Sequence, residues 1–410
     1  MLKRIIIILF VLFQSLHAFL NTDNNYEKQL AVLKNFDIPA NCLKDSIFIS
    51  MKEDLEVYKT KHFLQDLENG DRFVPVLQKM MREAGIPVEF LYLAMTESGF
   101  SPNASSSARA SGLWQFIPST GKLYGLVDNR FIDERKDPVK STEAAILYLK
   151  RLHGMFDKWY VAALAYNCGE GTVLKAIAKA GTDDINVLLD ENKKYLPKES
   201  RLYIRKILMM SFISNSTGFM LDHESEYLLN RANNATFIKV EVNSGTLLKD
   251  VSDSIGISLK ELKAYNPQLK QIFTSPINAK SYLYIPQDRQ VAFSQNFDRS
   301  KSGGKYDIYV AKRGDSLYKI AKKYGISSEA IMQFNSLKNS YIKPKSELII
   351  PLSVHPTPSV PSLSYKIKAG DTMELVAKQY NISVDALMKA NHKKETFVKV
   401  GESIVIPKSY

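Results

Sequence analysis

Apolar residues recur at helical spacing through much of the first half of the chain. "FVPVLQKMMREAGIP" (73–87) sets them three and four apart until Gly85 and Pro87 interrupt, which predicts an amphipathic helix. "STEAAILYLKRLHGMF" predicts a second, with Ser141 as its N-cap and Glu143 in an acidic first turn. "KWYVAALAYNCGEGTVLKAIAKAG" predicts two more, broken at Gly169 and Gly171, and "SRLYIRKILMMSFIS" a further one. Residues from about 45 to 220 therefore read as a helical body.

Beyond about residue 235 short β-rich stretches alternate with short helical ones. "GTLLKDVSDSIGISLKELKAYN", "GDSLYKIAKKYGISSEAIMQFN" and "GDTMELVAKQYNISVDALMKAN" align without a gap. Gly245 to Gly314 and Asn266 to Asn335 are both 69 positions; Gly314 to Gly370 and Asn335 to Asn391 are both 56. Each copy follows a strand-like stretch ("FIKVEV", "DIYVAK", "SYKIKA") and precedes another ending in Ile-Pro. The pattern is strand–helix–helix–strand, three times. Between the copies, "SQNFDRSKSGGK" is polar and flexible and "SVHPTPSVPS" is Pro-rich and extended, which predicts beads on a string.

At 410 residues the chain is long enough for several domains. It opens "MLKRIIIILFVLFQSLHAFLN": Lys3 and Arg4 precede an apolar run from Ile5 to Phe13, with Ala18 as a small residue before cleavage. That run is too short to span a bilayer and reads as a secretory signal peptide over 1–18, an uncleaved anchor being the alternative. The net charge of +12 becomes +10 without Lys3 and Arg4, which suits an anionic partner such as a wall polymer or membrane surface. No zinc finger, aromatic RNA-binding signature or dense Lys/Arg run points to nucleic acid. Cys42 and Cys168 alone make no disulfide framework and are expected as free thiols or an incidental bond.

Candidate chemistry centres on Glu97 in "LAMTESGF". Phe90, Leu93 and Ala94 lie behind it on its own helical face, and Gly99 should end the helix. Apolar neighbours and the negative helix end both penalise the carboxylate, so its pKa should rise, as a general acid near neutral pH requires. Asp133 and Asp137 in "FIDERKDP" are candidates for a second carboxylate but read better as turn and capping residues. No metal-ligand spacing is present, His153 being a lone helical histidine.

Four blocks carry a resemblance: Glu97-Ser98; Gly112-Leu113-Trp114-Gln115-Phe116; "ALAYNCG" (163–169); and "LPKESRLYIRK". In this order they resemble the catalytic domain of lytic transglycosylases, with its goose-lysozyme-like helical fold. The resemblance implies that Glu97 is catalytic and that Ser98, Ser106, Gln115, Tyr166, Asn167 and Tyr203 bind substrate, with Ser106 hydrogen-bonding the acid and Tyr203 near it. Cys168 stands where the family has a small Ala or Ser, which would make activity sensitive to thiol reagents.

The repeats resemble LysM modules, βααβ domains that bind N-acetylglucosamine-containing chains. The likeness lies in Gly314-Asp315-Ser316-Leu317, Gly370-Asp371-Thr372-Met373, the Ile-Ser joint between helices and the closing Ile-Pro. Gly permits the tight turn, and Asp with Ser or Thr caps the first helix. The resemblance implies glycan binding at Gly314, Asp315, Ser316 and Asn335, and at Gly370, Asp371, Thr372 and Asn391. Gly245-Thr246-Leu247-Leu248 has lost the Asp and the capping hydroxyl in their usual places, so the first copy is expected to fold without necessarily binding.

The whole layout resembles the membrane-bound lytic murein transglycosylase D type. It implies a multidomain chain: signal peptide 1–18, a helical segment 19–69, a mainly α lysozyme-like catalytic domain 70–222, a degenerate LysM-like unit 237–287, and α+β LysM modules 307–352 and 364–408. The implied reaction is cleavage between N-acetylmuramic acid and N-acetylglucosamine with closure of a 1,6-anhydro ring. A hydrolytic muramidase and a non-catalytic wall-binding scaffold are the alternatives. Peptidoglycan strands are the expected partner, with no cofactor, metal or nucleic acid. The protein is expected as an exported monomer of the periplasm or envelope, peripheral membrane association being left open.

Overall fold

The computed structural model describes residues 23–44, 59–215, 236–276, 280–304, 306–335, 337, 339–352, 363–380, 382–391, 393 and 395–406. The signal sequence and the Pro-rich stretch near 353–362 lie outside them. The chain divides into two compact units, Met1–Gly303 and Gly304–Tyr410.

In the first unit ten helices precede the first strand among the described residues: α1 Asp23–Asn35, α2 Lys59–Gly70, α3 Val74–Ala84, α4 Leu91–Ser98, α5 Pro118–Leu123, α6 Pro138–Phe156, α7 Trp159–Cys168, α8 Glu170–Ala180, α9 Ile185–Leu188 and α10 Lys198–Asn215. Helix α7 is apolar nearly all round, and Val161 to Ala165 are fully buried, so it forms the central post of the core. Its alanines let α6, α8 and α10 pack closely around it. Helix α10 also packs on α4 and α1. The segment before residue 70 is thus part of this core, through Val32, Leu33, Phe36, Phe63 and Leu67.

Helix α6 starts four residues earlier than Ser141 as N-cap predicts. Asp137 is its N-cap, accepting from the Val139 and Lys140 amides, while Ser141 donates its hydroxyl back to the Asp137 carbonyl. Pro138 at the first helical position supports that start.

The first repeat copy comprises β1 Phe237–Asn243, α11 Leu248–Ile255, α12 Leu259–Tyr265 and β2 Lys280–Pro286, followed by α13 Gln290–Asn296. Strands β1 and β2 pair antiparallel, Phe237 opposite Pro286. Val240, Val242, Leu283 and Ile285 line this copy's own small core. Because strand side chains alternate, Tyr282 and Tyr284 point the other way, and Phe237 and Tyr284 join the core of the helical body. The Phe237 ring lies 5.9 Å from Phe73 and 5.1 Å from Tyr284. This copy is not a bead on a string but docks on the helical body as part of one compact unit.

The second unit holds two βααβ copies. One is β3 Tyr306–Val310, α14 Leu317–Tyr324, α15 Ser328–Phe334 and β4 Glu347–Pro351; the other is β5 Leu363–Lys366, α16 Met373–Gln379, α17 Val384–Ala390 and β6 Ser403–Ile406. Each sheet is a two-stranded antiparallel ribbon, and each copy has its own apolar core.

Candidate active site

Helix α4 runs only from Leu91 to Ser98 because Gly99 follows in a left-handed conformation at φ +56, where a side chain's Cβ would also meet the Asp66 carboxyl at 2.6 Å. Phe90, Leu93 and Ala94 are fully buried behind Glu97, as its helical face predicts. The carboxyl is mostly buried, and Tyr203 on α10 donates its phenol to Oε1 at 2.6 Å. Burial is the larger influence and pushes the Glu97 pKa up to about 7. The Tyr203 hydrogen bond opposes that rise, and the charge of Glu199 adds to it. Glu199, at the start of α10, is a group to which sequence reasoning gave no role, although it stands four residues before Tyr203.

The loop 109–116 forms the floor beside Glu97. Its backbone carries left-handed residues at Arg109 (φ +61), Gly112 (φ +85) and Gln115 (φ +47). At Gly112 a Cβ would lie 1.8 Å from the Arg135 carbonyl oxygen, so no other residue fits that approach. Gln115, a non-glycine held in an unfavourable region, donates through Nε2 to the carbonyls of Gly112 (2.8 Å) and Ala104 (3.3 Å). Trp114 is core: it is fully buried, and its Nε1 donates to Thr142 Oγ1 at 2.8 Å. Phe116 is buried beside it, its ring 6.3 Å from that of Tyr166.

Tyr166 donates its phenol to the Trp114 carbonyl at 2.8 Å, and the Glu97 charge helps hold its pKa well above the ordinary range, after burial. Asn167 Oδ1 accepts from Ser200 Oγ at 2.7 Å, which ties α7 to α10. Ser98 donates to the carbonyls of Ala94 and Leu113, linking α4 to the loop. Glu97, Ser98, Gln115, Tyr166, Asn167 and Tyr203 therefore share one connected region, although several of their polar atoms are already spent inside the protein. Ser106 is placed differently. Its exposed hydroxyl accepts from the Ala110 amide within its own loop, and the structure records no bond from it to Glu97.

Asp133 and Asp137 are structural. Asp133 caps a short 3-10 helix and pairs with buried Arg135 at 2.8 Å. Asp137 is fully buried: Oδ1 accepts from the Val139 and Lys140 amides and the Tyr284 phenol, and Oδ2 from the Tyr282 phenol. A carboxylate with four donors already on it has no reach toward a sugar. Both cysteines are thiols outside any disulfide. Cys168 is half-buried, its Sγ lies 3.2 Å from the Leu164 carbonyl, and burial pushes its thiol up, which disfavours the reactive thiolate.

The two copies of the second unit keep their turns as the sequence predicts, with one change of roles. Gly314 and Gly370 are left-handed at φ +87 and +91. Ser316 and Thr372 alone cap their helices, accepting from the Lys319 and Leu375 amides. Asp315 and Asp371 instead close the preceding turn, each accepting from a lysine amide and a tyrosine phenol at 2.7 and 2.8 Å.

Asn335 and Asn391 are not free to meet a sugar amide to amide. Asn335 Nδ2 donates to the Ile331 and Ile349 carbonyls while its Oδ1 accepts from the Ile349 amide. Asn391 does the same with Leu387 and Val405, and Asn266 with Leu262 and Tyr284. In all three copies this asparagine fastens the second helix to the closing strand.

The first copy differs in its second loop. Its asparagine and the strand residue it holds are 18 positions apart, against 14 in the other two. The longer loop folds onto the first turn: the Leu248 amide donates to the Ile272 carbonyl, the Thr274 amide to the Thr246 carbonyl, and the Thr246 amide to Thr274 Oγ1. Phe273 fills the space between, fully buried. The gap between the two loops, where the resemblance puts a sugar, is closed in this copy.

A helical body with one buried acid on a truncated helix, followed by βααβ modules, defines a lysozyme-like transglycosylase with wall-binding repeats. A model of the transglycosylase SLT domain matches residues 75–189, the LysM domain matches 309–351 and 365–407, and the LysM-like domain of the lytic transglycosylase MltD matches 236–302. The chain is 30% identical over 366 residues to membrane-bound lytic murein transglycosylase D of Escherichia coli (strain K12), spanning 83% of this chain and 78% of that one. The chain belongs to that family. It is also 29% identical over 184 residues to N-acetylmuramoyl-L-alanine amidase sle1 of Staphylococcus aureus (strain MRSA252), 40% of this chain and 51% of that one. Among solved structures, the 70 kDa soluble lytic transglycosylase of Escherichia coli aligns over 51% of this chain and 30% of its own at 21% identity, with a TM-score of 0.30.

Proposed function

We propose that this chain cleaves the bond between N-acetylmuramic acid and N-acetylglucosamine in peptidoglycan, releasing 1,6-anhydromuramyl ends. The observation that carries the reading is Glu97, a carboxyl kept protonated near neutral pH by burial and held by Tyr203. It donates its proton to the glycosidic oxygen as the C1–O bond breaks, and the substrate's acetamido group stabilises the cation. The resulting carboxylate takes the proton of the muramyl 6-hydroxyl, whose oxygen closes on C1. One group serves in turn as acid and base, so no carboxylate pair of the usual glycosidase kind is needed.

Asn167 Nδ2 and Gln115 Oε1, which have no intramolecular hydrogen bond among the described residues, are the polar groups offered to sugar. Tyr166 and Ser98 hold the loop in place. The modules at 309–351 and 365–407 retain the chain on the polymer and raise its effective concentration there. The Gly314-Asp315-Ser316 and Gly370-Asp371-Thr372 turns are their contact points with glycan. An exported, envelope location follows from the substrate and the leader-like N-terminus. Among the described residues no helix is long and apolar enough to cross a membrane.

Mass spectrometry of muropeptides released from purified peptidoglycan tests the reading, wild type beside Glu97→Gln. Anhydro ends made by the wild type and absent with the variant are expected. Reducing ends carrying added water would make the enzyme a hydrolase, with Glu199, whose charge reaches Glu97, as the second carboxylate to examine. Retained polymer binding without any product would leave a scaffold.

A further inference from the structure

The first repeat copy has closed its own groove and is bolted to the helical body, so its use must be sought in the contact. Besides the packing of Phe237 on Phe73 and the bond from the Thr236 hydroxyl to the Arg72 carbonyl, the polar part of that contact falls on one segment, 128–137. The Lys270 amide donates to the Phe131 carbonyl, and the Asp133 amide to the Gln268 carbonyl, both at 2.9 Å. Lys270 Nζ pairs with Asp128 at 2.5 Å, and Tyr282 and Tyr284 hold Asp137 at 2.6 and 2.9 Å.

Between these anchors sits Arg135, almost fully buried. Its guanidinium is gripped by Asp133 and Asp128 on one side. On the other, Nη1 donates to the carbonyls of Arg109 (2.8 Å) and Phe116 (3.3 Å), the two ends of the cleft loop. The Arg135 carbonyl packs directly on Gly112 at that loop's centre. The loop in turn meets α4 through Ser98, adjacent to Glu97, and α7 through Tyr166.

We propose that Arg135 and Asp137 are positioning residues through which the LysM-like copy 236–302 holds the loop 109–116 against Glu97. The copy has exchanged sugar binding for a place in the catalytic unit. A planar guanidinium spanning both loop ends fixes their separation, and two phenols on one capping carboxylate fix the segment that carries it. An error of about an ångström in such a loop is enough to misplace a substrate. This rests on the catalytic reading given above.

The test uses the full chain with Tyr282→Phe and Tyr284→Phe together, which keeps both rings and removes only the two donors to Asp137. Glycan cleavage, polymer binding and melting are measured beside the wild type. The expected result is a kcat lower by roughly tenfold with KM and polymer binding unchanged. The basic limb of the kcat/KM profile should also move to lower pH as water reaches Glu97. An unchanged kcat and pH limb, with only a lower melting temperature, would overturn the proposal and make the copy simple glue. If the double variant does not fold, Lys270→Gln is judged by the same two readouts. A wild type that releases no product at all would instead count against the catalytic reading.

Discussion

The Tyr203 phenol on α10 reaches across the core to Glu97 on α4, residues 106 positions apart, and donates to the carboxyl at 2.6 Å. The bond favours the ionised form and so works against burial, which sets the Glu97 pKa up to about 7. Tyr203 thus tempers the acid.

Tyr203→Phe removes that moderation while leaving the ring. The Glu97 pKa should rise further, so the basic limb of kcat/KM should shift to higher pH. Activity at neutral pH should fall by about tenfold or more, because the carboxylate produced in the first step loses a charge-assisted donor. A pH–rate profile of the variant on solubilised glycan checks this. A limb that moves to lower pH would mean that Tyr203 acts by excluding water and not through its hydroxyl.

Much of the catalytic site was legible because its signals are local. The break at Gly99, the apolar face behind Glu97 and the capping chemistry of Asp133 and Asp137 are all matters of a few neighbouring residues. What was not legible depends on contacts distant in sequence. The docking of the first copy is carried by Tyr282 and Tyr284 alternating with Leu283 and Ile285, a strand buried on both faces. The matching strand of the last copy buries Ile404 and Ile406 and exposes Ser403 and Val405. That difference was present in the sequence, but a two-faced strand does not say what covers its second face. The asparagines carry a different ambiguity. Their position recurs in every copy, and recurrence marks a fold requirement as readily as a ligand contact.

Asn335→Ala separates those two meanings. The substitution strips a donor from two carbonyls and an acceptor from the Ile349 amide, so the second copy should lose about 2–3 kcal/mol. Hydrogen exchange on the intact chain should show faster exchange at the Ile349 amide, with weaker glycan binding following from the loosened module. Lost binding with Ile349 as protected as in wild type would restore Asn335 as a direct sugar contact.

Glu97→Gln is expected to stabilise the protein even as it abolishes catalysis, and only at the higher pH values. The folded-state pKa lies above the unfolded value of 4.5, so between pH 4.5 and about 7 the folded protein holds a proton that the unfolded chain has released. Stability conferred by the neutral carboxyl is therefore complete below pH 4.5, is lost as pH rises, and is gone above about 7. Glutamine stays neutral throughout and can still accept from Tyr203. The advantage of the variant should grow across that window to at most about 3 kcal/mol and then level off. Denaturant unfolding of both proteins at pH 4.5, 6 and 8 measures it. A constant difference across the three would show that the Glu97 pKa is the same in the folded and unfolded chain, so that it is ionised near neutral pH and does not begin the reaction as an acid.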